Sequence, residues 1–328
     1  MSFETIGVIG GGAWGTALAQ VAAQAGPVRL WALEADVVAA INGQQENPVY
    51  LPGVPLSPAI RATGALEDLA ACDALLVVAP AQHLRAVLGG TPRPEVPLIL
   101  CAKGIEAKTG LLMSEVAAEV RPRAPIAILS GPTFAHEVAA GLPAAVTFAC
   151  ADETLGAALA ARLARPAFRP YLAADVIGAE IGGAVKNVLA IACGVVEGRG
   201  LGQNARAALI SRGFAEMTRF GLAKGARAET LAGLSGLGDL VLTCSSVSSR
   251  NFSLGKGLGE GKPAASLLAD RQTVAEGAYT APVLAQVAAR IGVDMPIVTA
   301  VCALLAGEAA VDEVVGRLLA RPLRSEEG

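Results

Sequence analysis

The chain has 328 residues and a formal net charge of −3, and 53% of its residues are hydrophobic against 17% charged. This composition can supply two domains with large buried cores, and it excludes intrinsic disorder, which needs low hydrophobicity and high net charge. The chain has no basic tract, so we expect no nucleic-acid partner and no anionic membrane surface, although a local positive charge could still bind a small anion.

The first half of the chain alternates short β-branched runs with helical patterns, which is typical of a doubly wound parallel sheet. Because the chain enters its first strand without a basic leader, we expect no signal peptide and a cytoplasmic protein. The predicted strands cover residues 5–9, 28–31, 60–62, 75–78, 98–101, 126–129, 145–149 and 168–172. The predicted helices cover residues 15–24, 36–42, 84–88, 112–120 and 153–164.

A glycine-rich turn joins the first predicted strand to the first predicted helix. Gly10 permits a tight turn, Gly12 lets the backbone approach a pyrophosphate, and Gly15 lets the helix lie close to the strand. The start of a helix also carries free N–H groups and a partial positive charge that attract phosphates. The turn therefore predicts a dinucleotide site, and a purely structural glycine turn is the alternative.

An acidic residue follows the second predicted strand. Glu34 lies about 20 residues beyond the glycines, where a carboxylate commonly binds the adenosine ribose hydroxyl and repels a 2′-phosphate. Asp36 is a slightly later candidate for the same role. A solvated charge at the end of a strand is the structural alternative.

Two polar segments follow later strands. Lys103 comes just after the strand predicted at 98–101, and the turn from Gly131 to Thr133 comes after the strand at 126–129. The carboxyl ends of parallel strands line the ligand crevice of an open sheet, so both segments are candidates for that crevice. A surface lysine and a helix cap are the alternatives.

The second half of the chain is helical in pattern. Helices are predicted over residues 176–196, 205–224, 282–291 and 297–306. We place a boundary near Asp175, between a dinucleotide-binding domain (1–175) and an all-helical substrate domain (176–328). The apolar stretch at 176–196 contains Glu180 and Lys186, which would be costly inside a bilayer, so we interpret it as a buried helix and expect no membrane span.

Lys186 is unusual because small and aliphatic residues surround it on every helical face. A lysine in such a place can extend its amine to the boundary of the core. Alternatively the amine lies in a cleft, where desolvation lowers its pKa toward neutrality and makes it a usable base.

Two further polar groups lie among glycine-rich joints. Asp239 stands in GLGDLVLTC, and Ser249, Arg250 and Asn251 open another helical pattern. An arginine, an amide and a helix N-terminus together make a suitable seat for a phosphate, and a simple helix cap is the alternative.

The six cysteines are scattered without a CxxC spacing, and the chain has only two histidines, His83 and His136. We therefore expect reduced thiols with structural roles and no zinc site.

Taken in order, these motifs resemble those of the NAD(P)-dependent glycerol-3-phosphate dehydrogenases. The matching segments span nearly the whole chain: GGGAWGTALA, ENPVYLPG, AKGIE, SGPTFAHEVAAGLP, GGAVKNVLAIACGVVEG, NARAALISRGFAEM, GLGDLVLTC, SSRN and VAEG. The resemblance implies a Rossmann-type domain followed by a helical domain, usually in a homodimer. It also implies interconversion of sn-glycerol 3-phosphate and dihydroxyacetone phosphate with NAD(P)H, which supplies the glycerol backbone of phospholipids.

The resemblance further implies roles for single residues. Lys186 would be the proton acceptor, and we hypothesise that Lys103 polarises the reacting oxygen while Asp239 orients the Lys186 amine. The residues around the substrate would be Lys103, Gly131, Thr133, Lys186, Asp239, Ser249, Arg250 and Asn251. The cofactor contacts would come from Gly10, Gly12, Trp14, Gly15, Leu33, Glu34, Lys103, Ala135, Arg250, Val274 and Glu276. Leu33 and Ala13 depart from residues that bacterial members often carry, which leaves the choice between NAD and NADP open.

Two rival functions remain at this point. A related hydride-transferring enzyme could act on another hydroxy acid or sugar acid. A non-enzymatic NAD-sensing module would keep the glycines but would have no need for Lys186 or Asp239.

Overall fold

The computed structural model describes residues 3–269 and 275–322. Eight strands form one sheet in the order β3-β2-β1-β4-β5-β6-β7-β8. The strands are β1 (Ile6–Ile9), β2 (Val28–Trp31), β3 (Ile60–Thr63), β4 (Ala74–Val77), β5 (Leu98–Leu100), β6 (Ile126–Ser130), β7 (Ala144–Cys150) and β8 (Phe168–Ala173). Each predicted strand is present with its ends within one residue of the prediction.

The sheet is built as a doubly wound layer. β1 and β4 are buried along their whole length, as expected for central strands covered on both faces. The strand order reverses between β1 and β4, and in open sheets of this kind ligands bind at such a reversal. The helices of this half are α1 (Ala13–Ala23), α2 (Ala35–Gln44), α3 (Leu84–Gly90), α4 (Met113–Val120), α5 (Ala135–Ala139) and α6 (Glu153–Leu163).

Two strands, β7 and β8, depart from the parallel sheet that the sequence predicts, because both run opposite to the other six. β7 runs antiparallel to β6 and parallel to β8. The connection from β6 to β7 holds only α5, whose five residues span about 7.5 Å. A parallel neighbour requires a crossover that returns the chain to the other end of the sheet, and so short a helix does not provide it.

The second half of the described chain is helical throughout. Its helices are α7 (Val176–Gly198), α8 (Gly202–Ala223), α9 (Ala228–Leu231), α10 (Asp239–Cys244), α11 (Arg250–Gly259), α12 (Ala264–Leu267), α13 (Glu276–Arg290), α14 (Pro296–Ala306) and α15 (Val311–Leu319). A π-helical turn, Leu234–Gly238, leads directly into α10. β8 ends at Ala173 and α7 begins at Val176, and the division into two domains near Asp175 stays a prediction.

The prediction for α13 was wrong at its start. Proline is favoured in the first turn of a helix, so the sequence indicated a helix beginning at Pro282. The helix instead begins at Glu276, and Pro282 lies inside it. A tertiary contact supports the extra turn, because the Asn251 carboxamide oxygen accepts a hydrogen bond from the free backbone N–H of Gly277 (2.9 Å).

α7 is the central helix of this half. It is the one helix among the described residues that is long and apolar enough to cross a membrane, and 89% of its most apolar window is buried inside the protein. Its first turn is fixed by Asp175, whose carboxylate accepts hydrogen bonds from the backbone N–H groups of Gly178 and Arg227, each at 2.8 Å. α7 is thus a core helix, held at its start by a residue that also contacts the segment before α9.

α7 and α11 pack with their backbones in close contact. A methyl group on Gly194 would lie 2.0 Å from the carbonyl oxygen of Phe252, and one on Gly255 would lie 1.9 Å from that of Ile191. Neither position can hold a side chain unless the two helices move apart. The small residues of these helices therefore set the distance between them.

We predict that Gly194→Ala lowers the free energy of unfolding by about 1–3 kcal/mol, the usual cost of overpacking a core. The matched control is Gly43→Ala in α2, where a methyl group would meet nothing within 4 Å. Removing a helical glycine there should raise stability by about 0.5–1 kcal/mol. Urea unfolding of both variants measures the two effects, and equal stability of the two variants would contradict the prediction.

Candidate active site

The candidate site lies where α7 crosses the carboxyl ends of β5 and β6. Lys103 follows β5, and its aliphatic stem contacts α7 at Gly183, one turn before Lys186. A methyl group on Gly183 would lie 3.1 Å from Lys103 Cγ and 3.1 Å from Ser130 Oγ. Neighbouring Gly182 likewise admits the backbone of the π-helical turn, because a methyl group there would lie 2.2 Å from the oxygen of Ser235. Two consecutive glycines therefore bring three segments of chain together beside Lys186.

A single buried carboxylate bridges two lysine amines. Asp239, the first residue of α10, is fully buried. Its Oδ1 accepts a hydrogen bond from Lys186 Nζ (2.5 Å), and its Oδ2 accepts one from Lys103 Nζ (2.6 Å). Lys186 Nζ also donates to Thr243 Oγ1 (3.0 Å), and Lys103 Nζ donates to the carbonyl oxygen of Gly131 (3.3 Å). Each amine thus uses two of its hydrogen-bonding positions inside the protein.

The environment of Lys186 changes its acidity. Burial lowers the pKa of Lys186 from 10.5 to about 8, the charge of Asp239 opposes that change, and the charge of Lys103 adds to it. Both the neutral and the charged amine are therefore accessible near neutral pH. Of the two interpretations that the sequence left open, the structure supports the desolvated amine, because only 6% of Lys186 is exposed.

The start of α11 forms the second part of the site. Ser249 is its N-cap, and its hydroxyl oxygen accepts a hydrogen bond from the backbone N–H of Phe252 (3.3 Å). Asn251 is buried, and its side-chain amide donates to Asn187 Oδ1 (3.0 Å), next to Lys186. Arg250, the first residue of the helix, is exposed. Ser249 and one N–H of the Asn251 amide are thus engaged within the protein, whereas Arg250 is exposed.

Glu276, the first residue of α13, lies near the same charges. Burial raises the pKa of its carboxyl, whereas the charge of Arg250 and a hydrogen bond from the backbone N–H of Ala81 oppose that rise. The charges of Lys103 and Lys186 act on it more weakly. Glu276, a sequence-predicted cofactor residue, therefore lies close enough to Arg250 and to both lysines for their charges to act on its carboxyl.

The glycine turn has the geometry that a dinucleotide requires. Gly10 has a φ of +121°, which favours glycine, and a methyl group on Gly15 would lie 1.8 Å from the Gly10 oxygen. A methyl group on Gly12 would meet nothing within 4 Å, so the space beside this residue is open toward the start of α1. The indole N–H of Trp14 is buried without a hydrogen-bond partner among the described residues. These features fit a pyrophosphate at the α1 N-terminus.

A buried asparagine supports this turn. Asn47 Nδ2 donates to the carbonyl oxygen of Gly11 and to Thr16 Oγ1, each at 2.8 Å. The Thr16 hydroxyl donates in turn to the same Gly11 oxygen (3.3 Å). The carbonyl of Gly11 is thereby kept pointing inward, away from the open side of Gly12.

Leu33 and Glu34, two and three residues beyond the end of β2 at Trp31, are exposed. Leu33 has 79% of its surface exposed, and Glu34 is the N-cap residue of α2 without a capping hydrogen bond from its side chain. The Glu34 carboxylate instead accepts a hydrogen bond from the hydroxyl of Tyr50 (2.8 Å). Asp36, the later candidate, lies in the first turn of α2.

Of the remaining predicted residues, Gly131 and Thr133 lie beside Lys103, and the others lie further along the chain. Gly131 contacts Lys103 through its carbonyl oxygen, and the half-buried Thr133 donates to that same oxygen (3.3 Å). Ala135 begins α5, one turn further on. Val274 lies outside the described residues.

Three site residues were missed by the sequence interpretation. Thr243 lies four residues after Asp239, so helical spacing alone places both on one face. Asn187 follows Lys186 directly, but only the fold brings it to Asn251. Asn47 belongs to the segment ENPVYLPG, in which no local pattern indicates a contact with the glycine turn.

The cysteines are free thiols, five of them buried and Cys302 half-buried. Burial raises the pKa of Cys72 and of Cys302 to about 11, which keeps both as thiols. In residues 3–269 and 275–322 there is no group of three histidine, cysteine, aspartate or glutamate side chains that could hold a metal ion.

Comparisons with known proteins cover nearly all of the chain. Family models described as the N-terminus and the C-terminus of NAD-dependent glycerol-3-phosphate dehydrogenase match residues 5–156 and 175–316. The NAD(P)+ glycerol-3-phosphate dehydrogenase of Erythrobacter litoralis is 66% identical over 98% of this chain and 97% of its own length. That of Sphingopyxis alaskensis is 62% identical over 99% of both chains.

A solved structure agrees with these relatives. The crystal structure of glycerol-3-phosphate dehydrogenase from Coxiella burnetii superposes with a TM-score of 0.93 at 37% identity, covering 97% of this chain and 99% of that one. The similarity therefore extends through both the sheet and the helical half.

We predict opposite shifts of the Lys186 pKa in two variants. Asp239→Asn removes the negative charge that raises this pKa, so the value falls below about 8. Lys103→Met removes the positive charge that lowers it, so the value rises above about 8. Titration of ¹³C-labelled lysine by NMR measures both, and shifts in the same direction would contradict this account of the site.

Proposed function

Because this chain belongs to the NAD-dependent glycerol-3-phosphate dehydrogenase family, we propose that its reaction takes place at the cluster of Lys186, Asp239 and Lys103. The reaction is the interconversion of sn-glycerol 3-phosphate and dihydroxyacetone phosphate with NAD(P)+ or NAD(P)H. The observation that carries this proposal is the buried amine of Lys186, with its pKa of about 8, bonded to a carboxylate that a second lysine shares.

Lys186 acts as the acid–base residue. Its neutral amine accepts the hydroxyl proton when the alcohol is oxidised, and its ammonium form donates a proton to the oxygen when the ketone is reduced. Asp239 Oδ1 and Thr243 Oγ1 occupy two of the three hydrogen-bonding positions of the ammonium, so the third is directed to substrate. The bound nicotinamide supplies the hydride acceptor or donor.

Lys103 polarises the same substrate oxygen. Its amine donates two hydrogen bonds within the protein, to Asp239 Oδ2 and to the carbonyl oxygen of Gly131. Its third hydrogen is left for the substrate. Because Asp239 accepts from both amines, it sets the distance between them. A developing negative charge on the oxygen is then stabilised by two donors that are already in place.

The N-terminus of α11 binds the substrate phosphate. Arg250 supplies a charged donor there, and the free N–H groups of the first turn supply a partial positive charge. Asn251 positions this end, because its amide joins Asn187 on α7 to Gly277 on α13. A phosphate held here fixes the carbinol carbon beside Lys186, and such positioning can contribute about 7–11 kcal/mol in favourable intramolecular cases.

Residues at the carboxyl edge of the sheet would hold the dinucleotide. The α1 N-terminus beside Gly12 would bind its pyrophosphate, and the Glu34 carboxylate would bind its adenosine ribose. Contacts from Ala135, Val274 and Glu276 follow from the family resemblance. For the cell, we propose that the protein is a cytoplasmic homodimer that supplies glycerol 3-phosphate for phospholipid synthesis.

Nicotinamide absorbance with dihydroxyacetone phosphate tests the reaction, with NADH and NADPH measured in parallel. Oxidation of at least one of them is the expected result. Binding of the dinucleotide without any turnover would favour an NAD-sensing module, and turnover only with another hydroxy acid or sugar acid would favour a related dehydrogenase.

We predict that Lys186→Met lowers the turnover number by about 10²–10⁴-fold, the usual range for loss of a general acid–base group, with dinucleotide binding retained.

In the wild-type protein, the rate of glycerol 3-phosphate oxidation should rise as the pH passes about 8, because the Lys186 amine becomes neutral. The rate of dihydroxyacetone phosphate reduction should fall over the same range.

Steady-state rates from pH 6 to 10 and nicotinamide fluorescence titrations measure these effects. The matched control is Lys262→Met, because Lys262 is an exposed lysine whose amine contacts Glu260 and no other carboxylate of the described residues. Unchanged turnover in Lys186→Met would remove the role given to this residue.

A further inference from the structure

A single turn of chain, residues 47–51, reaches both ends of the dinucleotide site. At the phosphate end, the wholly buried Asn47 donates two hydrogen bonds into the glycine turn, to the Gly11 oxygen and to Thr16 Oγ1. At the ribose end, the hydroxyl of Tyr50 donates to Glu34 Oε1 (2.8 Å). The same turn therefore links the support of the pyrophosphate site to the acidic residue after β2.

The position of Tyr50 is fixed by this turn. Its backbone N–H donates to Asn47 Oδ1 (3.2 Å), and the N–H of Leu51 donates to the Asn47 carbonyl oxygen (2.9 Å). The Tyr50 ring is half-buried and packs against the core of the N-terminal half. The hydroxyl is thus held at a set distance from α1, and it remains a donor because its bond to Glu34 and its burial raise the pKa of the phenol.

Among the described residues, the Tyr50 hydroxyl is the one hydrogen-bond partner of the Glu34 carboxylate. Glu34 is exposed, and although it occupies the N-cap position of α2, its side chain does not cap the helix. An exposed glutamate without a partner samples several rotamers, and restricting them costs conformational entropy when a ligand binds. The Tyr50 hydroxyl donates to Oε1, and no described residue donates to Oε2.

We propose that Tyr50 is a positioning residue for cofactor selection, which holds the Glu34 carboxylate in place. In that position Oε2 accepts a hydrogen bond from the ribose 2′-hydroxyl of NAD(H), and the carboxylate charge repels the 2′-phosphate of NADP(H). The inference rests on the proposed function, in which Glu34 faces the adenosine ribose. The neighbouring side chain supports it, because the exposed Leu33 has no charge to neutralise a 2′-phosphate. Selection for NAD(H) thus comes from a pair of residues, of which only one would touch the cofactor.

The test compares Tyr50→Phe, Glu34→Gln, the double variant, and Tyr171→Phe as the matched control. Tyr171 lies on the edge strand β8 and has 52% of its surface exposed, so its hydroxyl can be removed at the opposite end of the sheet. The kcat/KM values for NADH and NADPH at saturating dihydroxyacetone phosphate give the discrimination ratio. Nicotinamide fluorescence gives the dissociation constants, and thermal melting reports on folding.

Tyr50→Phe should lower the NADH-to-NADPH ratio about fivefold, the effect of losing one hydrogen bond, through KM and Kd and with kcat unchanged. Glu34→Gln should lower it further, because it removes the charge that repels the 2′-phosphate. Adding Tyr50→Phe to that variant should have a smaller effect than in the wild type, because Tyr50 then positions only a neutral amide. Tyr171→Phe should match the wild type. Glu34→Asp keeps the charge but falls short of the Tyr50 hydroxyl, and it should resemble Tyr50→Phe.

Two outcomes would overturn the inference, and they are distinguishable. A ratio that falls in Glu34→Gln but stays at the wild-type value in Tyr50→Phe would show that Tyr50 does not act through Glu34, and would leave the ribose assignment intact. A ratio unchanged in Glu34→Gln would remove the ribose assignment itself, and the role of Tyr50 with it. If Tyr50→Phe does not fold, Glu34→Asp decides the matter alone.

Discussion

The structure depends on one buried interaction, the carboxylate of Asp239 held between the amines of Lys186 and Lys103. Burying charged groups is costly unless they are paired and hydrogen-bonded, and the loss of one partner leaves the others uncompensated. Here Thr243 and the Gly131 carbonyl complete the bonding of the two amines. The cluster can exist only because the end of the sheet, the middle of α7 and the start of α10 meet at one point.

Small residues make that meeting possible. Glycines on α7 admit the stem of Lys103 and the backbone of the π-helical turn on one side, and they admit α11 on another. Close backbone packing also explains why the helix can be almost entirely buried without large side chains. The same helix is therefore both the centre of the helical core and the carrier of Lys186, the proposed acid–base residue, so a change in its packing would move that residue as well.

Several carboxylates connect two elements of the fold by accepting hydrogen bonds from a helix N-terminus. Asp175 caps α7 and contacts the backbone of Arg227, and Glu216 on α8 accepts from the backbone of Ile297 at the start of α14 (2.8 Å). Glu180 on α7 accepts from the backbone of Ser114 at the start of α4 (2.8 Å). Burial raises the pKa of both glutamates to about 7. These contacts join elements far apart in the chain, which no local pattern indicates.

The sequence by itself determined the strands of the sheet, the glycine turn and the long core helix, because each follows from local periodicity and from the conformational freedom of glycine. It also identified Lys186 as unusual and Asp239 as a candidate site residue, since a charged residue among apolar ones can be recognised from the sequence alone. Only the tertiary structure decided that Asp239 bridges two amines, that Asn47 contacts the glycine turn and Tyr50 contacts Glu34, and that α13 begins before Pro282. Those features depend on contacts between segments far apart in the chain. The packing of those segments, and no local sequence pattern, determines which side chains come within hydrogen-bonding distance.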